Sequence, residues 1–352
     1  MLRRTKPKKS LTHRQNKHLK AVAMKHSTRK IPNIGSRQIA AHQQSGVVLL
    51  LFVIGLFIVS SSLFLTALNN NQAKQDRDLN AAAALSAVKE QLIAFTILGS
   101  EHFGVTGAGP GHLFCPDTNG NGLANSPCGI DPLGRLPRSV TTLLGAQRFT
   151  EFGVGQDQEF WFALDNSLRS NPASVFNSST VPTLTVDGVT GYVAVLLAPG
   201  EANSLQARPN NSAANYLEGG NAASATFVTS DALAPENFTD RLLGIRLAEI
   251  MPGVTARVAE TIKATLDSYH GTSGSYPDDT SFDDPLLLDF ATVMGPAGTA
   301  PGWFAANNWL NQVNPNYVRL NTDSATVVFN GCAITYTINQ NFSGIERSTN
   351  QC

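Results

Sequence analysis

From Gly46 to Leu68 the chain reads GVVLLLFVIGLFIVSSSLFLTAL, 23 positions without a charge. A helix of that length spans roughly 34 Å, enough to cross a hydrocarbon core of about 30 Å. Beyond a soft spot at Asn69-Asn70-Asn71, residues 73–98 are rich in Ala, Leu, Lys, Gln and Glu, all good helix formers. Within them Leu85, Val88, Leu92 and Phe95 recur at spacings of three and four, which makes one apolar stripe. Gly99 supplies a C-terminal stop. The pattern predicts a helix of roughly 50 residues, apolar all round in its first half and amphipathic in its second. The stripe suits packing on the protein's own sheet; a partner's helix is the alternative occupant.

Further on the periodicity changes. Residues 190–198 (TGYVAVLLA) and 225–229 (ATFVT) read as short buried strands. Pro252 opens a second helix, in which Val254, Val258, Ile262, Leu266 and Tyr269 fall on one face until Gly271. Around Asn330-Gly331, the β-branched runs Val327-Val328-Phe329 and Ala333-Ile334-Thr335-Tyr336 predict a hairpin over residues 326–338, with Cys332 at the start of the return strand. Residues 104–138 are dense in Gly, Pro and Asn, and Asn203 to Asn221 reads as a polar surface loop. The fold class expected is α+β: a long N-terminal helix with a membrane-spanning first half, packed on an antiparallel β-sheet, with a second helix and disulfide-closed loops.

Charge turns the apolar run into a topology. The first 44 residues hold 12 Lys or Arg and no Asp or Glu. With 26 basic and 26 acidic residues overall, the remainder carries 14 against 26, a net of 14 − 26 = −12. Positive flanks stay in the cytoplasm, so the expectation is a single-pass inner-membrane protein with an exported, acidic C-terminal body. Nucleic-acid binding by the basic head is the weaker explanation, because the cluster directly precedes a span. A secretory cleavage after Ala67 is disfavoured: Leu65 replaces the small residue needed, and the apolar run is longer than a signal's usual 7–15 or so residues. Met24 is a second candidate start.

The four cysteines fit an exported body. Three pairings are formally open; the local one, Cys115–Cys128 and Cys332–Cys352, closes two modest loops. Each is worth about 3 kcal/mol in the chain-entropy model. There is no Cys-x-x-Cys and no zinc-like Cys/His spacing, and four of the seven His (His13, His18, His26, His42) sit in the head. In Cys115-Pro116-Asp117-Thr118-Asn119-Gly120-Asn121-Gly122, oxygen side chains alternate as in the first half of a calcium loop, with Asp117, Asn119, Asn121 and a late Asp131 as candidate ligands. The twelfth position from Asp117 is Cys128, where an EF-hand needs Glu, and Asn/Gly runs also simply favour turns. No nucleophile motif, phosphate loop or His-Glu-x-x-His occurs, so no enzyme is expected. Asp278-Asp279 and Asp283-Asp284 read as solvated loop pairs; Trp161, Trp303 and Trp309 are candidates for a ligand platform, against which Phe160-Trp161-Phe162 reads as core.

An ordered set of segments resembles a known family. The basic leader ending in Gly46, residues 88–95 (VKEQLIAF), 114–122 (FCPDTNGNG), 134–137 (GRLP), 193–200 (VAVLLAPG), 214–219 (ANYLEG) and 240–243 (DRLL) are similar to the larger pilin-like proteins, or pseudopilins, of Gram-negative type IV pili and type II secretion. The resemblance implies a basic leader over residues 1–46, a span over 47–68, its amphipathic continuation over 69–100 and a periplasmic body over 101–352. It implies cleavage by prepilin peptidase between Gly46 and Val47, methylation of the new amine, and other pilins or pseudopilins as partners through the helix. Val47 stands where pilins usually have Phe, Leu51 where most carry Glu, and Arg138 where a Trp follows the Gly-Arg-Leu-Pro segment. Lack of the Glu implies a minor component that initiates or caps a filament. The alternative is a membrane-anchored adhesin or calcium-dependent binding module; an anchored hydrolase ranks third.

Overall fold

The computed structural model describes residues 44–98, 103–142, 145–148, 159–204, 206–223, 225–230, 238–279 and 286–348. The chain divides into two compact units, residues 1–66 and 67–352. Helix α1 (Gln44–Leu98) contributes to both. Among the described residues, one helical segment has the length and composition to cross a bilayer, and it belongs to α1.

In the first unit, the large apolar side chains from Leu50 to Leu65 are all exposed, from 46% at Val53 and Ile54 to 69% at Phe57. Three of the hydroxyls in and next to this stretch turn inward to the helix backbone. The hydroxyls of Ser60, Ser62 and Thr66 donate to the carbonyls of Phe57, Val59 and Ser62, at 3.1, 2.8 and 2.8 Å. A helix that satisfies its own hydroxyls presents little but hydrocarbon to its surroundings.

The second unit is a mixed α+β body. One sheet is built from β1 (Leu133–Arg135), β4 (Trp161–Leu164), β5 (Leu184–Val186), β6 (Val189–Ala198), β7 (Thr226–Phe227) and β8 (Arg241–Arg246). A separate two-stranded ribbon pairs β2 (Ser139–Thr142) with β3 (Gly145–Arg148). β6 is the centre of the larger sheet: β8 pairs along one edge, while β4 and β5 succeed one another along the other. The sheet is antiparallel except for the β5–β7 pair, which is parallel, a departure from the wholly antiparallel expectation. From Val193 to Ala198 every side chain of β6 is buried. That explains why the sequence reads there as an unbroken apolar run, since alternation requires one wet face.

The two faces are covered differently. Phe162 and Leu164 of β4 and Ala194 and Leu196 of β6 face the main core, together with Leu85, Val88 and Leu92 of α1. Phe95 extends this contact, its ring 5.3 Å from Phe103 and 5.5 Å from Phe114. Polar contacts along the same stretch fix its rotation: Lys89 Nζ donates to the Gly244 carbonyl at 3.0 Å and pairs with Glu249, and Asp78 pairs with Arg241 at 2.5 Å. Trp161, Ala163, Val195 and Leu197 point the other way, into a second cluster with Tyr216, Leu217 and Phe227. Asn203 to Asn221 is therefore not a plain surface loop; Tyr216, Leu217 and Asn221 are buried and lay this segment over the sheet.

Helix α2 (Leu247–Ser273) joins the larger sheet to a meander of β9 (Tyr317–Asn321), β10 (Ser324–Val328), β11 (Thr335–Asn339) and β12 (Ile345–Arg347). It starts five residues before Pro252, because Glu249 turns back to accept from the Arg246 N–H at 2.7 Å and caps an earlier first turn. Val254, Val258, Ile262 and Leu266 are fully buried, and Gly274 ends the helix in the left-handed conformation. The hairpin expected at Asn330-Gly331 is the β10–β11 pair, with Val328 opposite Thr335. Its loop is longer than two residues: Cys332 N–H donates to the Phe329 carbonyl at 3.0 Å across Gly331, whose φ is 75°. Cys332 thus sits in the loop, three residues before the return strand. Short helices α3 (Phe290–Met294), α4 (Gly302–Ala306) and α5 (Trp309–Val313) close the core with buried Phe290, Trp303, Phe304 and Trp309.

If the α1 stripe is a core face, Leu92→Ala should lower unfolding stability of the full chain in detergent by about 2–5 kcal/mol. Leu79→Ala, at a position 69% exposed, should stay within about 0.5 kcal/mol of the parent. Equal effects in denaturant titrations would refute the packing.

Candidate functional site

Five of the segments singled out in the sequence are joined through the larger sheet and the residues beside it: 114–122, 134–137, 193–200, 214–219 and 240–243. Their meeting point is built around Arg135. Its backbone is bridged to the Asp117 backbone in both directions, with Arg135 N–H donating at 2.8 Å and Asp117 N–H donating at 2.9 Å. Gly134 has to be glycine at this crossing. A Cβ there would lie 2.8 Å from the Asp117 carbonyl oxygen and 2.9 Å from Pro116 Cβ, and backbone cannot swing aside as a side chain can.

The Arg135 guanidinium pairs with Glu159, donates to the Asn210 carbonyl, and reaches the Tyr216 hydroxyl at 3.5 Å. It lies 5.5 Å from the Tyr216 ring centroid and 6.0 Å from that of Trp161, its cross-strand partner. Arg208 approaches Tyr216 too, at 4.8 Å. Two cations against one ring is a cation–π arrangement that partial burial strengthens. Arg208 also ties down the chain on either side of it, donating to the carbonyls of Gly200, Asn215 and Tyr216 at 2.7, 2.8 and 2.9 Å. Arg138, which stands where a Trp was expected, shares Glu159 with Arg135. Glu218 and Asp240 complete the lock: each one's backbone N–H donates to the other's carboxyl, at 2.8 and 3.2 Å.

The candidate calcium ligands lie beside this hub. Asp117 is 2% exposed. Its Oδ1 accepts from the N–H groups of Gly120 and Asn121, at 2.7 and 3.3 Å, and its Oδ2 from Gly122 N–H at 2.6 Å. Asn119 Oδ1 accepts from Asn121 N–H at 3.0 Å, and Asn121 Oδ1 from Leu123 N–H at 2.8 Å. These oxygens organise a turn, each accepting from backbone N–H groups of its own loop. Asp131 is exposed, and among the described residues no group of three or more His, Cys, Asp or Glu is placed to hold a metal. The turn's own hydrogen bonds account for the placement of these oxygens without an ion. The alternating pattern legible in the sequence has a local cause, since Asx side chains cap their own turns.

Cys115 and Cys128 form a disulfide that closes this turn region. Cys332 is also disulfide-bonded; Cys352, its expected partner, lies outside the described residues. Gly46 and Val47 fall in the opening turn of α1. Of the acidic loop pairs, Asp278 is buried and pairs with Arg319 at 3.0 Å, contrary to the solvated expectation. Its backbone bridges to Leu288 and Phe290, which draws it into the core edge. Asp283 and Asp284 lie outside the described residues. The three tryptophans are buried in the core, as the surroundings of Trp161 in the sequence suggested for that one. His112 is buried; its Nε2 donates to the Ser174 carbonyl at 2.8 Å, which leaves Nδ1 to accept from Gly109 N–H. Burial pushes its pKa down, so the ring is a neutral structural link.

Arg208 and Glu159 had no periodic or motif signal. Arg135, Tyr216, Glu218 and Asp240 lay inside the quoted segments, but nothing in the sequence said that they touch. Compared with protein-family models, curated proteins and solved structures, the chain matches none.

Removing the Asp117 carboxylate strands three backbone donors. Asp117→Ala should cost about 1–3 kcal/mol, read as a lower melting temperature. The loss should be the same in excess calcium and in a chelator; stabilisation of the parent by calcium that disappears in the variant would reinstate the ion.

Proposed function

We propose that the chain is a pilin-like, single-span assembly protein, a minor component that primes or caps a type IV pilus or a type II secretion pseudopilus. The observation that carries the reading is the stretch from Leu50 to Leu65, uncharged and exposed at every large apolar side chain, directly after a head with 12 basic and no acidic residues. A surface of that kind belongs in lipid or against other helices of the same kind.

Two stretches of α1 compete for the membrane on composition: Lys74–Leu98 and the shorter Leu50–Thr66. Lys74–Leu98 carries Lys74, Asp76, Arg77, Asp78, Lys89 and Glu90, and it spends Leu85, Val88 and Leu92 on a protein core. Charges at mid-bilayer are costly, by at least about 2.5–3.5 kcal/mol each on insertion scales. The bilayer therefore takes residues 46–68, with the N-terminus in the cytoplasm and the acidic body in the periplasm. Prepilin peptidase cuts after Gly46, the amine of Val47 is methylated, and the freed helix packs among those of neighbouring pilins or pseudopilins. Leu51 in place of an acid eases insertion and removes one device for registering subunits, which suits an end position. No catalytic role is assigned to the body, whose polar hub serves to hold its own segments together.

N-terminal sequencing of the mature protein tests the reading, with N-methylated Val47 as the expected first residue. An intact Met1, or a chain that starts after Ala67, would overturn it.

A further inference from the structure

The lock between the 213–223 segment and the sheet contains two buried acids. Glu218 is 8% exposed and Asp240 5%. Asp240 Oδ2 accepts from Glu218 N–H at 2.8 Å and from the Asn221 side-chain amide at 3.0 Å. The Glu218 carboxylate is occupied in turn by Asp240 N–H at 3.2 Å, Thr239 N–H, and the Thr239 hydroxyl at 2.9 Å. Asp240 Oδ1 is buried and has no partner among the described residues. Tyr216 and Leu217, which precede Glu218 in the chain, belong to the buried cluster with Trp161 and Phe227.

An ionised Asp240 sets an uncompensated oxygen in a dry site next to a second carboxylate; a neutral carboxyl removes the repulsion and the desolvation cost, and gives up only part of the strength of the two hydrogen bonds at Oδ2. Arg208 is the cation whose charge acts on Asp240; its Nε and Nη groups donate to the carbonyls of Asn215, Gly200 and Tyr216 and to the Gln206 side chain. We propose that Asp240 is a proton-operated latch: protonated, it holds the 213–223 segment on the sheet, and on losing its proton it loosens that segment and opens the buried cluster that Tyr216 and Leu217 join.

Burial is the largest influence and pushes the Asp240 carboxyl up to about 7, from 3.8 in the unfolded chain. The Glu218 N–H and the Asn221 amide pull against it, the Glu218 charge adds to it, and Arg208 opposes it. Because the folded value is the higher one, the latch contributes fully below about pH 4 and is lost as pH rises through about 7. In the range around neutrality a modest pH change therefore alters how firmly the segment is held.

Hydrogen exchange of the full chain in detergent, corrected for intrinsic rates and with a chelator present, tests the latch. Between about pH 5.5 and about pH 8.5, peptides from 213–223 should lose protection on the order of tenfold, while those from 254–266 of α2 stay constant. Asp240→Asn, a neutral isostere that still accepts at Oδ1, should hold the segment equally at both pH values. Glu218→Gln should move the midpoint to lower pH, because it removes a charge that raises the Asp240 value. Flat exchange in the parent, the same loss in Asp240→Asn, or an unmoved midpoint in Glu218→Gln would each overturn the proposal.

Discussion

The body depends on one constraint: β6 is dry on both faces. A strand that reads Val-Ala-Val-Leu-Leu-Ala from 193 to 198 cannot leave either side to water. At about 25 cal/mol per Å² of apolar surface, exposing one face of it and of β4 would cost more than a domain's usual margin of stability. The chain meets the demand with two unlike covers. On one side the second half of α1 and α2 supply helical stripes that interlock, close enough that a Cβ on Gly253 would collide with Ile97. On the other side, among the described residues, the cover is an Asn-rich segment with only two short 3-10 turns, Ala213–Asn215 and Gly219–Ala222, held down by cations, an aromatic ring and a pair of acids.

The helical cover was legible in the sequence because helices and strands announce buried faces by period. Leu85, Val88 and Leu92 repeat at helical spacing and are core, as are Val254, Val258, Ile262 and Leu266. The β10–β11 hairpin was readable for the same reason, although a turn at Gly331 and three further residues displaced Cys332 from the position expected. The second cover has no period. Tyr216, Leu217 and Asn221 are its buried anchors, yet they sit among Asn, Ser, Gly and Ala that read as solvent-facing. Charged residues compound the difficulty: Arg135 and Arg208 are half-buried because backbone carbonyls and aromatic rings surround their guanidiniums, and no sequence window reports that.

The same contrast explains the apparent calcium loop. Oxygen side chains at alternate positions are what a cation needs, and they are equally what a tight turn needs to satisfy its own N–H groups. The geometry at Asp117 favours the second use. It also gives the disulfide-closed 115–128 region a structural task, since the Asp117 backbone forms the bridge to Arg135 on which the hub is built. In this body, polar chemistry organises the chain itself.

The central claim is that residues 46–68 take the membrane and leave the α+β body on its far side. A membrane-impermeant maleimide added to spheroplasts that lack prepilin peptidase tests it through single cysteines placed at Ser36, in the basic head, and at Ser343, exposed between β11 and β12. The account predicts labelling of Ser343→Cys in intact spheroplasts, and of Ser36→Cys only after permeabilisation. Labelling of Ser36→Cys with Ser343→Cys protected, or of both without permeabilisation, would contradict it.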